Sequence, residues 1–295
     1  MRPKFTTANG IANAQPRDLF DQLISNDSNQ DLLADAAGHS VILPPRCRFL
    51  ISDITRLKPL LTGSPKDGFE CIVIDPPWEN ASAQRSNAYP TLPSRNLLGI
   101  PVKRLLHQGR GLLALWVTNR ERHRRFVDAE LLPAWGLRHV ATWYWLKVTN
   151  DVQLVSPLDI AYRRPYEAIL LCRPGSSASQ AAAAPAHTAA DHPGSLEQEQ
   201  DGSETRLPGP DSSAGPSREA GAAGRAALSE ELRDLVIAAV PGQHSRKPHL
   251  GHLLAQHLPP RPHCLEVFAR ELHAGWTSVG NEALLFQTEE SFATL

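Results

Sequence analysis

Four consecutive residues, Asp75, Pro76, Pro77 and Trp78, hold the densest chemistry in the chain. The two prolines fix their own φ angles and carry no N–H, so the carbonyls there are rigid acceptors beside a carboxylate, with an indole close behind. A ligand suited to this cluster presents donor hydrogens on a flat ring, as the exocyclic amine of adenine does. The lone pair of that amine is delocalised into the ring and is a poor nucleophile. Acceptors at the Asp75 carboxylate and the Pro76 carbonyl would hold its hydrogens and favour a geometry in which the lone pair points at an electrophile. The bland alternative is a Pro-Pro turn with a capping Asp and a core Trp.

Position weighs against that alternative. Cys71-Ile-Val-Ile, directly before Asp75, is a continuous apolar run of the kind buried on both faces of a parallel sheet. Ligands in such folds sit at the carboxyl ends of the strands. Arg48-Phe-Leu-Ile-Ser-Asp-Ile and Leu112-Leu-Ala-Leu-Trp-Val read as further strands. Thr118-Asn-Arg-Glu121 matches a capping box opening a helix through about Leu132. Residues 138–148 alternate, with Val140, Thr142, Tyr144, Leu146 and Val148 on one side and Ala141, Trp143, Trp145 and Lys147 on the other, as in a half-exposed strand. Pro248 to Leu258 reads as a helix and Cys264-Leu-Glu-Val-Phe as a strand. The strand-helix alternation predicts an α/β fold, a Rossmann-like doubly wound sheet with helices on both faces, forming a single catalytic domain.

Composition sets the domain boundaries. From Pro174 to Ala227 the chain collapses to Ala, Gly, Ser, Pro, Gln and Glu, without one aromatic, which predicts a disordered low-complexity insertion at 174–227. The flanks read as strands, so the domain comprises 41–173 and 228–290, with the insertion in a surface loop. Residues 1–40, rich in Asn, Asp and Gln with a short apolar pattern at Leu19, Phe20, Leu23 and Ile24, read as a weakly structured or helical lead-in. The net charge of −1 averages over these unlike stretches: without the insertion, 27 basic residues face 24 acidic ones, a mildly basic remainder. No run of eighteen apolar residues occurs and the N-terminus lacks the apolar core of a signal peptide, so neither a membrane span nor secretion is expected. Four scattered cysteines without a C-x-x-C pair are read as reduced thiols of an intracellular protein.

The chain resembles the N6-adenine methyltransferases related to the 70-kilodalton subunit of the messenger-RNA adenosine methyltransferase, and within them the methyltransferase-like 4 branch. The resemblance runs from about Leu43 to Phe286, interrupted by the insertion. It is carried by Leu43-Pro-Pro-Arg-Cys47, Ser52-Asp-Ile, Asp75-Pro-Pro-Trp, Trp116-Val-Thr-Asn, Trp143-Tyr-Trp-Leu-Lys, Arg163-Arg-Pro-Tyr-Glu167, Ser245-Arg-Lys-Pro248, Glu266-Val-Phe-Ala-Arg270 and Gly275-Trp-Thr-Ser-Val-Gly-Asn-Glu282. It implies S-adenosylmethionine as methyl donor, with Asp53 and Ile54 meeting the donor's adenine, Lys247 its carboxylate, and Arg270, Asn281 and Glu282 its ribose and adenine edges, beside Asp75. Lys247, one residue before Pro248 at an expected helix start, needs a local anion, and a carboxylate ligand would supply one. No G-x-G-x-x-G follows any predicted strand; Phe268-Ala-Arg stands where a glycine-rich turn would be.

The expected function is N6-adenine methyl transfer to RNA, with small nuclear RNA at a 2′-O-methylated adenosine as substrate and the nucleus, or else the cytoplasm, as location. DNA as substrate, or a non-catalytic nucleic-acid-binding partner subunit, are the alternatives. Asp75, Pro76, Pro77 and Trp78 would do the catalysis. Trp78, Tyr89, Trp143 or Trp145 would clamp a flipped base, with core packing an even rival for the last two. Arg163 and Arg164, with Arg85 and Arg95, would meet phosphates, joined by the run Arg120, Arg122, His123, Arg124 and Arg125, whose default is a solvated helix face. No metal is expected: His244, His249, His252, His257, His263 and Cys264 cluster without the regular pairs of a zinc site.

Overall fold

The computed structural model describes residues 19–36, 38–79, 92–160, 164–175, 231–242, 246–288 and 291. Its apolar runs become strands in chain order: β1 (Leu23–Ser25), β2 (Leu32–Ala36), β3 (His39–Leu43), β4 (Arg48–Ile51), β5 (Cys71–Ile74), β6 (Leu112–Val117), β7 (Leu137–Lys147), β8 (Tyr166–Pro174), β9 (Leu235–Ala239), β10 (Cys264–Val267) and β11 (Trp276–Gly280). Nine of them form one sheet, ordered β1-β4-β11-β10-β5-β6-β8-β7-β9, while β2 and β3 make a separate hairpin. Strands β4, β11, β10, β5 and β6 are mutually parallel, and β8 runs against both β6 and β7. Every residue of β5, β6 and β11 is buried, as continuous apolar strands covered on both faces require. One face packs under Val102, Leu105, Val127, Leu131 and Trp135, the other under Leu250, Leu254 and Leu258. This is the doubly wound arrangement expected from the alternation.

From β5 the chain steps to β6 on one side and returns, through β7, β8 and β9, to β10 on the other. The order therefore reverses between β5 and β10, and the crevice beyond their carboxyl ends is where such sheets receive ligands. Asp75 leaves β5 at that crevice, and Phe268 leaves β10.

Several local expectations change. The described part of the lead-in forms strands: Leu23 to Ser25 pair antiparallel with Arg48 to Leu50, and β2 pairs with β3 in the hairpin; residues 1–18 lie outside the described residues. Its polar residues are used internally, since Asn26 is fully buried and its side-chain amide donates to the carbonyls of Gln30, Leu43 and Pro44, each at 2.9 Å. The helix after β6 opens at Glu121 with Arg120 at the cap position and no side-chain cap bond. A capping box needs Glu as its third helical residue, so Thr118 lies too early to cap. That helix runs over 121–135, widens to a π turn at Val127–Leu131 just before Pro133, which cannot donate a backbone bond, and ends on Gly136 at φ +67°. The helix expected over 248–258 contracts to Gly251–Leu254 and one tighter turn, Ala255–His257. Thr142 is buried, its N–H donating to Asp234 Oδ1 at 2.7 Å and its hydroxyl 3.0 Å from His139 Nε2, while Tyr144 on the same side of β7 is exposed. Pro174, assigned to the insertion, closes β8 opposite Leu137; residues 176–227 lie outside the described residues.

Candidate active site

Asp75 is held at the end of β5 by its own N–H, which donates to the Val267 carbonyl of β10 at 3.4 Å. The prolines then turn the chain. The Trp78 N–H donates to the Pro76 carbonyl at 2.8 Å, closing a tight turn over Pro77, and Leu92 donates to the Pro77 carbonyl at 3.0 Å. A carbonyl oxygen has two lone pairs, so that of Pro76 retains one acceptor site. The Trp78 indole N–H donates to the Trp116 carbonyl at 3.0 Å, and its ring stacks on His123, with centroids 5.2 Å apart and planes 23° off parallel.

Asp75 is not alone. The Lys247 ammonium lies 3.3 Å from Asp75 Oδ2 and 3.2 Å from Glu167 Oε2, and the Lys147 ammonium takes the other oxygen of Glu167. Two cations and two anions thus alternate along one line, mostly withdrawn from water. Burial, the largest influence on Asp75, pushes its carboxyl above the usual range in spite of Lys247. Burial also opposes ionisation of Glu167 and Lys247, yet their partners prevail: Lys247 and Lys147 hold Glu167 below its ordinary value, and Asp75 with Glu167 raises Lys247. The Lys247 ammonium also sits 5.4 Å from the Trp116 ring centre. Lys247 precedes the short helix by four residues, and Asp75 and Glu167 already provide the local anion that its position called for.

In front of this line opens a cleft, bounded by Asp75, Trp116 and Lys247 on one side and by Glu266, Phe268, Arg270, Glu271 and His273 on the other. Phe268 makes the turn out of β10 with φ +65°, a left-handed conformation that glycine adopts without cost and a bulky side chain does not. Glu266 lies on β10, where burial, with Glu271 and Asp75 nearby and Arg270 in opposition, pushes its carboxyl up to about 8. Arg246 pairs with Glu271, and Arg246 and Arg270 lie over the Phe286 ring at 5.1 and 5.4 Å. His249 and His273 lie against one another at 3.6 Å between centroids; burial and its histidine neighbours depress His249 to about 3. Carboxylates and cations thus face one another across the cleft, a donor set that fits a ligand bearing charges of both signs.

The remaining expected donor contacts stand two and three strands away. Ser52 donates its N–H to the Gly280 carbonyl at 3.3 Å, which brings Asp53 and Ile54, after β4, beside Asn281 and Glu282, after β11. Asp53 accepts the Thr55 N–H at 2.8 Å, and this bond leads the contacts that lower its carboxyl; Ile54 is buried, while Asn281 and Glu282 are exposed. The ends of β4, β11, β10 and β5 are successive, so Asp53 and Asp75 bracket three strand spacings, roughly 14 Å.

The base-clamp candidates separate. Trp143 and Trp145 are 2% and 0% exposed, with their indole N–H groups donating to the Arg233 and Ala239 carbonyls at 3.0 Å. They anchor the strand β9 and cannot stack on a base. Trp78 remains, partly buried beside the cleft. Tyr89, Arg85 and Arg163 lie outside the described residues. Arg164 is exposed, against the Tyr166 ring. The basic run is largely engaged within the protein: Arg124 pairs with Asp128 at 2.9 Å, Arg125 with Glu121, and Arg122 donates to the Glu79 carbonyl at 3.3 Å. Arg95 pairs with Glu130 at 2.8 Å. His123 is not on the solvated face at all but 3% exposed under Trp78, and burial together with Arg122 lowers its pKa. Sequence reading passed over Glu167 and Glu266 as site residues. Their signal was a carboxylate inside an otherwise apolar strand, which a sheet covered on both faces admits only with a partner or a purpose.

The fold and these strand-end charges mark the crevice at which doubly wound α/β sheets receive ligands. Comparison makes it specific. The model of the MT-A70 family matches residues 69–193 and 218–282, and the chain belongs to that family. It is 35% identical over 94% of its length to the "N(6)-adenine-specific methyltransferase METTL4" of Mus musculus and, over 94%, to that of Homo sapiens, covering 50% of each. It is 31% identical over 88% of its length to the "N6-methyladenosine RNA methyltransferase MTA1" of Pyricularia oryzae, covering 58% of that protein. The chain thus spans about half the length of the curated relatives it matches.

Proposed function

We propose that this chain transfers a methyl group from S-adenosylmethionine to the exocyclic amine of adenine in RNA, with small nuclear RNA at an adenosine already methylated on its ribose as the target and the nucleus as the place of action. The observation that carries this reading is Asp75 at the end of β5, followed directly by Pro76 and lining a charged cleft where the strand order reverses. The names of the mouse and Pyricularia oryzae relatives, an adenine-specific methyltransferase and an RNA methyltransferase, support the chemistry and the nucleic acid.

The donor would be held by the residues lining the cleft and would supply an electrophilic methyl on a sulfonium; the amine nitrogen would take that methyl, leaving a thioether, and would give up one proton to water. Asp75 and Pro76 accept the amine's hydrogens and aim its lone pair, and Trp78, fixed by its indole bond and its stack on His123, packs the base. The base must leave any stack to reach this depth, so unpaired substrate costs least. Lys247 and Arg270 line the cleft, and Asp53, Ile54, Asn281 and Glu282, after β4 and β11, would meet the far end of a donor laid across the strand ends.

The test is labelled methyl transfer to matched RNA and DNA oligonucleotides, with and without ribose methylation. RNA is expected to accept label, with the ribose-methylated adenosine ahead, and Asp75→Ala and Trp78→Ala are expected to abolish it. Preference for DNA reassigns the substrate. Absence of heat with S-adenosylmethionine in calorimetry points instead to a non-catalytic partner subunit and overturns the reading.

A further inference from the structure

A strand that brings one adenine to Trp78 must lay its neighbouring nucleotides on the surface beyond. Tyr144 of β7 pairs across β8 with Ala168, which pairs in turn with Val117 of β6; Ala168 and Val117 belong to the core cluster that Trp78 packs against. Residues two apart on a strand share a face, so Tyr166 joins Tyr144 on that side of the sheet. The two rings meet edge to face, with centroids 6.0 Å apart and planes 80° apart. The face is open here: Tyr144 is 38% exposed, and Val236, its neighbour on β9, 62%. One segment fixes both aromatic sites, since the Trp116 carbonyl accepts from the Trp78 indole and the Asn119 amide donates to the Tyr166 carbonyl at 2.7 Å. Strands β8 and β7 stand two and three spacings from β5, roughly 10 and 14 Å. A single strand covers that span in about three or four rises of 3.4 Å, and in fewer when stretched.

Arg164 completes the set. Its guanidinium lies 5.7 Å from the Tyr166 ring centre and donates to the Tyr166 hydroxyl, which leaves further N–H groups for a phosphate. It is exposed and pairs with no carboxylate among the described residues, whereas Arg95, Arg124 and Arg125 are each spent on one. We propose that Tyr144, Tyr166 and Arg164 form a second station for the substrate strand, where the base of a nucleotide flanking the target adenine stacks on tyrosine and its phosphate meets the guanidinium. The inference rests on the methyl-transfer reading above. An aromatic face accepts any base, so this station strengthens the grip on unpaired RNA without dictating its sequence.

The test couples the protein and the RNA. Two short unpaired oligonucleotides carry the same target adenine, one with its flanking bases and one with abasic flanks. In the full chain, Tyr144→Ala is expected to raise the KM for the base-bearing RNA ~10-fold, with kcat within ~3-fold and the calorimetric Kd of S-adenosylmethionine within ~2-fold. Abasic flanks are expected to cost the parent a similar factor and the variant little more, since both changes remove one contact. Tyr144→Phe keeps the ring and is expected to recover the KM. Should Tyr144→Ala fold poorly, Tyr144→Val keeps the strand preference and carries the same expectation. An unchanged KM overturns the proposal, as do losses from Tyr144→Ala and abasic flanks that simply multiply. Unchanged KM with altered self-association in sedimentation would make the face a protein interface instead. A parent that methylates adenine in neither oligonucleotide fells the methyl-transfer reading and the station with it; an active parent matched by Tyr144→Ala sinks the station alone.

Discussion

Phe268 does with a phenyl ring what nucleotide-binding turns usually do with glycine, since its left-handed backbone turns the chain out of β10 at the mouth of the cleft. An L side chain in that conformation costs about 1–2 kcal/mol, whereas glycine adopts it freely. Phe268→Gly is therefore expected to be more stable than Phe268→Ala by about 1 kcal/mol in urea unfolding, the reverse of the ordinary order of these two residues. Glu266, one turn of strand earlier, ties the site to pH. Its folded pKa of about 8 lies above the reference value of 4.5, so the protonated side chain favours the folded state. That contribution is complete below about pH 4.5 and is lost as pH rises through about 8. Glu266→Gln, neutral at every pH, is expected to exceed the parent in stability by on the order of 3 kcal/mol at pH 8.5 and to match it near pH 5. At the reacting carboxylate, Asp75→Asn keeps the shape but exchanges an acceptor for a donor, and kcat is expected to fall by about 100-fold or more with melting unchanged. The place of Asp75-Pro-Pro-Trp at a strand end could be read from sequence because the motif is contiguous with the apolar run Cys71–Ile74. Lys147 and Glu167 could not be joined to it, being brought there by pairing across β7 and β8.

Strand patterns were the most readable elements, because a sheet covered on both faces demands uninterrupted apolar runs: β5, β6 and β10 lie where composition placed them. Elements whose side chains are polar but internally satisfied were not readable. Asn26 made the first strands look like a tail, and His123 made a buried ring look like part of a charged face. The alternation in β7 likewise could not tell an aromatic that clamps a ligand from one that pins a neighbouring strand. Trp145 pins, through its bond to the Ala239 carbonyl. Trp145→Phe leaves that buried acceptor unmet and is expected to lower unfolding free energy by about 1–3 kcal/mol while the KM for RNA stays unchanged. A raised KM without loss of stability would return Trp145 to the substrate site.

Across the whole molecule, doubly wound topology followed from alternation, but the order of the strands did not, since nothing local says that the last two strands enter the middle of the sheet. They do: β10 and β11 lie between β4 and β5 and supply Glu266, Phe268 and Arg270 to the cleft. A chain cut after residue 260 is accordingly expected to lack cooperative unfolding, as judged by urea titration followed by circular dichroism, rather than to behave as a stable smaller sheet. The same order bears on biosynthesis. As the polypeptide leaves the ribosome, β4 and β5 emerge early with bare, fully apolar edges, and the strands that will separate them are translated about 190 residues later. Until then the two half-sheets can join each other directly or recruit a neighbouring polysome's product, so holdase protection during translation is expected to raise the yield of folded chain.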